Sequence, residues 1–211
     1  HARGDAMNAR DEIRWDADLK LFSRAMMLRW TIATLVTLLV ISMAACQGPQ
    51  PESTPLATVP AVDLDRYTGR WYEIAKIPNR FQRQCVSDTS ANYARNTDGT
   101  IAVVNRCRTT DGRFDEAHAI ARVADSGTNA KLQVSFFSLL GWRPVWGNYW
   151  VLALGPDYEY AVVGEPGRQY GWILARTPTL PAATREAINN QLRAHGYDPA
   201  LFENSPHSAD R

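Results

Sequence analysis

From about residue 62 onward, the chain is a series of short segments of β-type composition separated by turn-forming residues. Such spacing favours an all-β barrel or sandwich over a fold of alternating strands and helices. Eight strands in simple succession can close as an antiparallel up-and-down barrel, which leaves no exposed sheet edge. We predict strands at 71–77, 85–94, 100–108, 115–124, 130–137, 147–154, 159–164 and 170–176. The turn-forming connections include 96–99, 110–112, 125–127 and 155–157.

One helix is predicted after the last strand. Thr179 can cap its start, Pro181 suits its first turn and Gly196 can end it. The less polar residues of this segment fall roughly on one stripe, so the helix is expected to pack on the barrel wall. The stripe consists of Leu180, Ala183, Ala187, Ile188, Leu192 and His195. We interpret its histidine as a cap or packing residue rather than a ligand.

Charge balance and aromatic content limit the function classes. The formal net charge is +1, whereas proteins that bind nucleic acid usually have a strongly basic face. We therefore expect no nucleic-acid partner. Seven Trp and eight Tyr residues are many for this length, so large aromatic surfaces are expected to be buried or to bind something.

The N-terminal region carries the features of an export signal. An apolar run from Trp30 to Ile41 follows Arg29 and is too short to span a bilayer core, which needs about 20 apolar residues. A basic residue, an apolar stretch and small residues before a cleavage site are typical of a secretory signal. Met43-Ala44-Ala45-Cys46 resembles the lipobox of bacterial lipoproteins, which implies that Cys46 is acylated, with palmitate as an expected acyl group. A short transmembrane anchor with an incidental cysteine is the alternative.

These features divide the chain into five parts. Residues 1–25 are highly charged and precede the signal, so we interpret them as a non-native extension or a mis-assigned start. Residues 26–45 are the lipoprotein signal peptide, and residues 46–61 form a flexible tether rich in Pro, Ser, Thr and Gln. Residues 62–204 are the single folded domain, and residues 205–211 are a short tail.

The implied location is the periplasmic face of the outer membrane. Gln47 stands where lipoproteins retained in the inner membrane of enteric-type bacteria have an aspartate. If Cys46 is acylated, Cys85 and Cys107 remain as an even pair in an oxidising compartment, where a disulfide is the expected state. Two unrelated buried thiols are the alternative.

Three blocks of the chain resemble the motifs of the lipocalin family. Gly69-Arg70-Trp71-Tyr72-Glu73 resembles the Gly-x-Trp signature of the first strand, and Asp157–Tyr160 resembles the second motif, between strands six and seven. Trp172–Pro178 resembles the third motif, whose arginine ends the last strand. The resemblance covers roughly residues 62–204. The stretches similar to the bacterial outer-membrane lipocalins, which are lipoproteins related to apolipoprotein D, are Trp71–Ala75, Val134–Phe137 and Trp172–Pro178.

The resemblance implies an eight-stranded barrel around a pocket for small hydrophobic ligands, with fatty acids and lysophospholipids as the ligands of the bacterial members. If successive strands alternate in direction, the start of strand one and the end of strand eight lie at one barrel end. Trp71 and Arg176 can then form a cation–π contact of about 0.5–2 kcal/mol. Together with Gly69 they are expected to close the barrel in a structural role.

Period-two alternation predicts which side chains line the interior. With Arg176 facing inward, Leu174 and Trp172 also face inward. In strand five, Lys131, Gln133 and Ser135 are expected to face water. The side chains expected to contact the ligand, from strands five and eight and from one mouth loop, are Trp172, Leu174, Leu132, Val134, Phe136 and Trp142. Ordinary core packing is the alternative for each inward-facing residue.

Two further features bear on the interior. Ala117, Ala119 and Ala121 share one face of strand four, where small side chains would leave room for a ligand. The same parity turns Glu73 inward with Trp71. Because a buried carboxylate is costly without partners, Glu73 is either a structural network member, which we favour, or a polar contact for a ligand head.

The mouth of the barrel is expected at the end away from Trp71. Leu139–Trp146 is too apolar for an ordinary solvated loop, which suits a lid, a membrane contact or a partner interface. Arg80 and Arg83 give another mouth loop positive charge that can attract a carboxylate or phosphate. The mouth loops are expected near 78–84, 109–114, 138–146 and 165–169.

The sequence favours a binding protein over an enzyme. It contains no Gly-x-Ser-x-Gly, His-Glu-x-x-His, phosphate-binding glycine loop or Cys-x-x-Cys motif, so we expect no catalytic residue, metal ion or cofactor. The expected partners are a small hydrophobic ligand and, through the N-terminal lipid, a membrane; a homodimer is left open. An enzyme acting on a lipid or isoprenoid and a structural envelope protein with a filled barrel are the alternatives.

Overall fold

The computed structural model describes residues 55–208. The predicted signal peptide, the lipid attachment at Cys46 and most of the tether lie outside the described residues. The helices are α1 (Leu64–Tyr67) and α2 (Ala182–Ala194), and short 3-10 turns occur at Arg80–Gln82 and Pro199–Leu201. The strands are β1 (Gly69–Lys76), β2 (Cys85–Arg95), β3 (Ile101–Thr109), β4 (Phe114–Val123), β5 (Lys131–Ser135), β6 (Gly147–Leu154), β7 (Tyr160–Gly164), β8 (Gly171–Ala175) and β9 (Glu203–Asn204).

Strands β1–β8 form a closed antiparallel barrel. Each strand pairs with the next along the chain, and β1 pairs with both β8 and β2, so the sheet has no free edge among these eight. The predicted eight-stranded up-and-down barrel with a C-terminal helix is confirmed. The strand bounds agree with the predicted ones to within about two residues at each end.

Aspartates set several of the connecting turns. The carboxylates of Asp98, Asp111 and Asp125 each accept a hydrogen bond from the backbone N–H two residues later. This is the local bond by which aspartate replaces a backbone turn. Hydrogen bonds to these carboxylates also lower their pKa values below the ordinary value. The aspartates that predicted the β2–β3, β3–β4 and β4–β5 turns therefore form the hydrogen bonds that stabilise those turns.

A bulge in β1 changes which side chains face inward. The pairing of β1 with β8 shifts register between Glu73 and Ala75. Trp71, before the bulge, packs in the barrel interior, whereas Ala75 packs in the outer cluster beneath α2. Lys76 then lies opposite Trp172. An extra residue in one strand has this effect because side chains alternate with a period of two.

Helix α2 packs on the outer wall of the barrel through Ile188 and Leu192, both fully buried. Its C-terminus follows the expected pattern: Gly196 has a φ of 76°, and its N–H and that of Tyr197 donate to carbonyls in the last turn of the helix. The predicted cap at Thr179 is wrong, because the helix begins at Ala182 after Pro181 and no side chain caps it.

The predicted stripe of α2 is only partly correct. Ala183 and Ala187 are exposed, whereas Thr184, Arg185 and Gln191 lie partly buried at the wall. The longer side chains can cover apolar surface with their stems, so polarity alone did not identify the buried face.

The segment 203–208, here called the C-terminal segment, completes the barrel wall where β1 and β2 diverge. β1 pairs with β2 only through Gly69–Tyr72, and β9 pairs with the later part of β1. The C-terminal segment then hydrogen-bonds to β2 through Asp88. This segment carries no strand signal in the sequence, since β9 has two residues.

Among residues 55–208, no helix is long and apolar enough to cross a membrane.

Candidate ligand-binding site

The barrel is closed at the end where β1 begins. The guanidinium of Arg176 stacks on the ring of Trp71, which is completely buried. The same guanidinium donates to the carbonyls of Arg66 and Arg70, and the indole N–H of Trp71 donates to the carbonyl of Tyr67. Gly69 has a φ of 89° and lies against Arg176, since a Cβ there would be 3.5 Å from its Nη1. These contacts form the closed end of the barrel.

Four of the six side chains predicted to contact a ligand share the interior of the barrel. Leu132 and Leu174 are buried members of the interior cluster, and Val134 and Trp172 pack against it while remaining partly exposed. Leu132 lies opposite Tyr149, and Trp172 opposite Val163, so the inward faces of β5–β8 form one wall.

The other two predicted contact residues lie at the mouth. Phe136 comes after the last residue of β5 and is 54% exposed, so the expectation that it belongs to the interior wall is wrong. The alternation of the strand no longer applies once the strand has ended. Ser135, predicted to face water, is instead buried because the following loop folds back: its hydroxyl donates to the carbonyl of Phe137 and its own carbonyl accepts from Arg143. Trp142 is 67% exposed.

Inward-facing side chains are more exposed toward the mouth than toward the closed end. On β4, Ala119 and Ala121 are buried, whereas Ala117, nearer the mouth, is exposed although its strand position faces the same way. Trp172 and Val134 also face inward and yet are partly exposed. Inward-facing side chains near the mouth thus keep accessible surface, whereas those near the closed end do not.

A buried polar network lies below the mouth. The carboxylate of Glu73 is 3% exposed and accepts hydrogen bonds from Lys76 Nζ at 2.9 Å, Gln82 Nε2 at 2.6 Å and Ser205 Oγ at 2.6 Å. Glu73 is therefore a member of a structural network, as the sequence favoured. Lys76, which sequence reasoning missed, supplies the compensating charge.

Gln82 connects this polar network to Trp172 on the inner wall of the barrel. Its side-chain oxygen accepts from the indole N–H of Trp172 at 3.1 Å, while its amide nitrogen donates to Glu73. Trp172 stacks on Tyr170, and Tyr170 contacts Phe81. This row of aromatic rings leads from the interior to the loop after β1, so the orientation of Trp172 is fixed by contacts on two sides.

The loop between β5 and β6 contains a two-residue hairpin turn in its middle. Leu139 and Trp142 exchange both backbone hydrogen bonds, and Leu140 and Gly141 between them have φ values of 51° and 83°. Leucine rarely adopts this left-handed conformation, and here its side chain is fully exposed. The apolar hairpin, residues 136–146, exposes six large hydrophobic side chains: Phe136, Phe137, Leu139, Leu140, Trp142 and Val145.

The mouth is braced by a disulfide and lined by cations. Cys85 at the start of β2 bonds to Cys107 on β3, which confirms the predicted pair. Arg80 and Arg83 flank the turn between β1 and β2 and are both exposed, with Arg80 over the ring of Phe81.

Three tyrosines meet inside the lower part of the barrel. The hydroxyl of Tyr149 lies 2.8 Å from that of Tyr67 and 3.0 Å from that of Tyr93. Burial raises the pKa of Tyr93 to about 12 and raises the pKa values of Tyr67 and Tyr149 well above the ordinary one. All three phenols are therefore neutral at physiological pH. We call these residues the tyrosine cluster. No local pattern predicts it, because its members come from α1, β2 and β6.

The described residues show no cluster that could hold a metal ion. Within residues 55–208, no three His, Cys, Asp or Glu side chains cluster as metal ligands would. His118 is exposed on the outer face near Glu116. His195 ends α2, its carbonyl accepts from Arg168, and partial burial lowers its pKa.

Comparison with known proteins places this geometry in a family. A family model described as a lipocalin-like domain matches residues 62–207. Temperature-induced lipocalin-1 of Arabidopsis thaliana is 39% identical over 160 residues, which are 74% of this chain and 86% of the relative. The outer membrane lipoprotein Blc of Escherichia coli K12 is 34% identical over 161 residues, 76% of this chain and 87% of the relative. Apolipoprotein D of Rattus norvegicus is 33% identical over 184 residues, with coverages of 80% and 93%.

Proposed function

The chain belongs to the lipocalin family, whose members generally bind small hydrophobic ligands, and from this premise we propose that it is an outer-membrane lipoprotein that stores or carries a single-chain lipid, a fatty acid or lysophospholipid, in its barrel. One observation carries the proposal. Trp172, Val134 and Tyr149 pack against the interior cluster and still keep part of their surface accessible, which supports an interior that the side chains do not fill completely. The upper interior therefore offers an apolar surface that an acyl chain can cover.

The expected position of the lipid in the barrel follows from the distribution of apolar and charged side chains. The acyl chain would lie against Leu132, Val134, Trp172 and Leu174. Burial contributes about 0.8 kcal/mol per methylene, so a long chain can supply micromolar affinity after the cost of association. The anionic head would stay at the mouth near Arg80 and Arg83, since Lys76 is already paired with Glu73.

The apolar hairpin would complete the site at the mouth. Phe136 and Trp142 are too exposed to form part of the inner wall, but they belong to the loop that follows β5, next to Val134. A ligand longer than the interior would extend between this hairpin and the loop that carries Arg80. Trp142 would then contact the part of the ligand nearest its head group.

Membrane attachment rests on Cys46. The lipobox-like sequence before it and the name of the Escherichia coli relative, an outer membrane lipoprotein, support acylation at this cysteine and location in the outer membrane. Gln47 favours the periplasmic face of that membrane. The ligand would thus be held by a domain attached to a lipid surface.

We further propose that the domain binds its ligand without chemically changing it. Glu73 accepts three hydrogen bonds, one of them from Lys76, and the tyrosine hydroxyls are neutral and bond to one another. A general base or nucleophile needs a free lone pair aimed at a substrate. Turnover of a bound lipid would overturn this part of the proposal.

Tryptophan fluorescence tests the binding proposal. Fatty acids and lysophospholipids of increasing chain length should change the emission of the native protein saturably, with affinity rising with chain length. Trp172→Ala should weaken binding at least tenfold, because it removes a large apolar contact. Trp150→Ala is the matched control, since Trp150 lies on the outer face against Lys131 and should leave binding unchanged. Absence of saturable binding by every lipid tested would favour a structural envelope protein.

A further inference from the structure

The tyrosine cluster contains one more hydrogen-bond donor than it can use internally. Three hydroxyl groups carry three protons, and the chain Tyr67–Tyr149–Tyr93 contains two hydrogen bonds. Whichever way these bonds point, one O–H proton is left over. Within residues 55–208 the three hydroxyls make no other hydrogen bond. A buried donor without an acceptor costs free energy, so the unused proton marks a place where an acceptor is favoured.

The position of the cluster relates it to the ligand path. Tyr67 and Tyr93 are 3% and 7% exposed, and the ring of Tyr67 lies 5.0 Å from that of Trp71, at the closed end. Tyr149, whose hydroxyl joins the other two, is partly exposed and lies opposite Leu132 of the predicted ligand wall. The exposed part of Tyr149 therefore faces the space inside the barrel. A chain inserted from the mouth would approach Tyr149 with its leading end.

The acceptor that fits this place is uncharged. The guanidinium of Arg176, which interacts electrostatically with Tyr67, already stacks on Trp71 and donates to two carbonyls. A carboxylate or phosphate would have to be buried here without a free counter-ion, which is strongly unfavourable. A hydroxyl, ketone or aldehyde oxygen has a much smaller desolvation cost and can accept the tyrosine proton.

We propose that the barrel is built for single-chain hydrophobic ligands that carry a neutral oxygen at or near the end that enters first, and that the tyrosine cluster hydrogen-bonds that oxygen. This inference rests on the proposed function and narrows its ligand class to ω-oxygenated chains. An ordinary saturated chain would place a methyl group against the unused O–H, whereas a terminal hydroxyl would satisfy it.

Pairs of ligands that differ only in a terminal hydroxyl group test the inference. Fatty acids and their ω-hydroxy counterparts are compared at equal chain length, over a series of lengths, by competition for a fluorescent lipid. At the length that reaches the cluster, the native protein should bind the ω-hydroxy acid more tightly than the parent acid. The variant in which Tyr67, Tyr93 and Tyr149 are all replaced by Phe should lose this preference, by a factor of roughly two to ten. Its fold should survive, because removing all partners of a network together with their polarity is nearly neutral.

The controls separate this inference from the proposed function. Tyr160→Phe removes a buried hydroxyl from the outer face, where it accepts from Gln191, and should keep the preference. If both acids bind but no chain length shows a preference, or if the triple Phe variant retains it, a water molecule satisfies the cluster and the inference is wrong while the lipid-binding proposal stands. If neither acid binds, the proposed function itself fails.

Discussion

The guanidinium carbon of Arg176 lies 3.8 Å from the centroid of the Trp71 ring, and its Nη atoms donate to the carbonyls of Arg66 and Arg70. One side chain thus joins the end of β8 to the start of β1 and to α1. The planar guanidinium can stack and donate in two directions at once, which an ammonium group cannot do. The closed end of the barrel depends on this geometry more than on the charge.

Arg176→Lys should therefore destabilise the domain although it keeps the charge. We expect a loss of about 2 kcal/mol in the free energy of unfolding, because the stacked contact and at least one hydrogen bond to a carbonyl disappear. Urea denaturation followed by circular dichroism measures the change. Arg193→Lys, on the exposed face of α2, is the control and should have no effect. Equal stability of the two variants would contradict a bracing role for Arg176.

The Cys85–Cys107 disulfide should contribute about 2–4 kcal/mol, mainly by restricting the unfolded chain. In a Cys46→Ala protein, thiol titration after denaturation without reductant should find no free thiol. The double variant Cys85→Ser, Cys107→Ser should unfold at lower urea concentration than this parent. Two reactive thiols in the unreduced protein would exclude the bond.

Acid should loosen the C-terminal segment from β2. Burial alone would raise the pKa of Asp88, but hydrogen bonds from Arg108, Ser208 and Ser87 hold the pKa well below its usual value. A carboxyl group with a lowered folded-state pKa stabilises the fold above its unfolded pKa of about 4, and this contribution is lost as the pH falls.

At pH 7, Asp88→Asn should lower the free energy of unfolding by about 1–2 kcal/mol, since it weakens the charge-assisted hydrogen bonds while tolerating the left-handed φ of 55° at this position. Below pH 4 the difference from the native protein should shrink. Asp157→Asn, whose side chain is 97% exposed, is the control. A difference that stays constant from pH 7 to acid would mean that the carboxylate of Asp88 is not the stabilising group.

Replacement of Cys46 by Ala should release the domain from the membrane. We expect a soluble, folded protein in the expressing bacterium, because no residue before the tether is needed for the barrel core. Membrane fractionation and lipid labelling measure the change, with Cys107→Ser as the cysteine control that should stay acylated. Retention of the Cys46→Ala protein in the membrane with an uncleaved signal would favour the transmembrane alternative.

Short-range signals made much of the fold predictable. The hairpin turns rest on aspartates that bond to their own neighbours. Strand eight and the first four residues of strand five keep the alternation, so the interior positions of Leu132, Val134, Trp172 and Leu174 were predicted correctly. The contact of Trp71 with Arg176 also followed, because up-and-down topology brings the first and last strands together.

Features that depend on distant parts of the chain were not predictable. The bulge after Glu73 inserts one extra residue into β1 and places Lys76 opposite Trp172. No residue type in β1 indicates where this bulge lies. Ser135 and Phe136 exchange their expected environments because the loop after β5 folds back on the strand end. The C-terminal segment binds through the side chains of Ser205, His207 and Ser208 as well as through its backbone. Their partners lie more than 100 residues earlier in the chain, so no local pattern indicates these contacts.

The way the C-terminal segment completes the wall has a consequence for the order in which the barrel assembles. Its hydrogen bonds to Asp88 and Glu73 span 120 and more than 130 residues of chain, whereas each hairpin closes over a few tens of residues at most. Contacts of such long range form late, because the entropy of closing the intervening loop must be overcome first. During synthesis the flank between β1 and β2 therefore stays open until the C-terminal segment has emerged. The last contacts to complete the barrel wall are thus those that the C-terminal segment makes with β1 and β2.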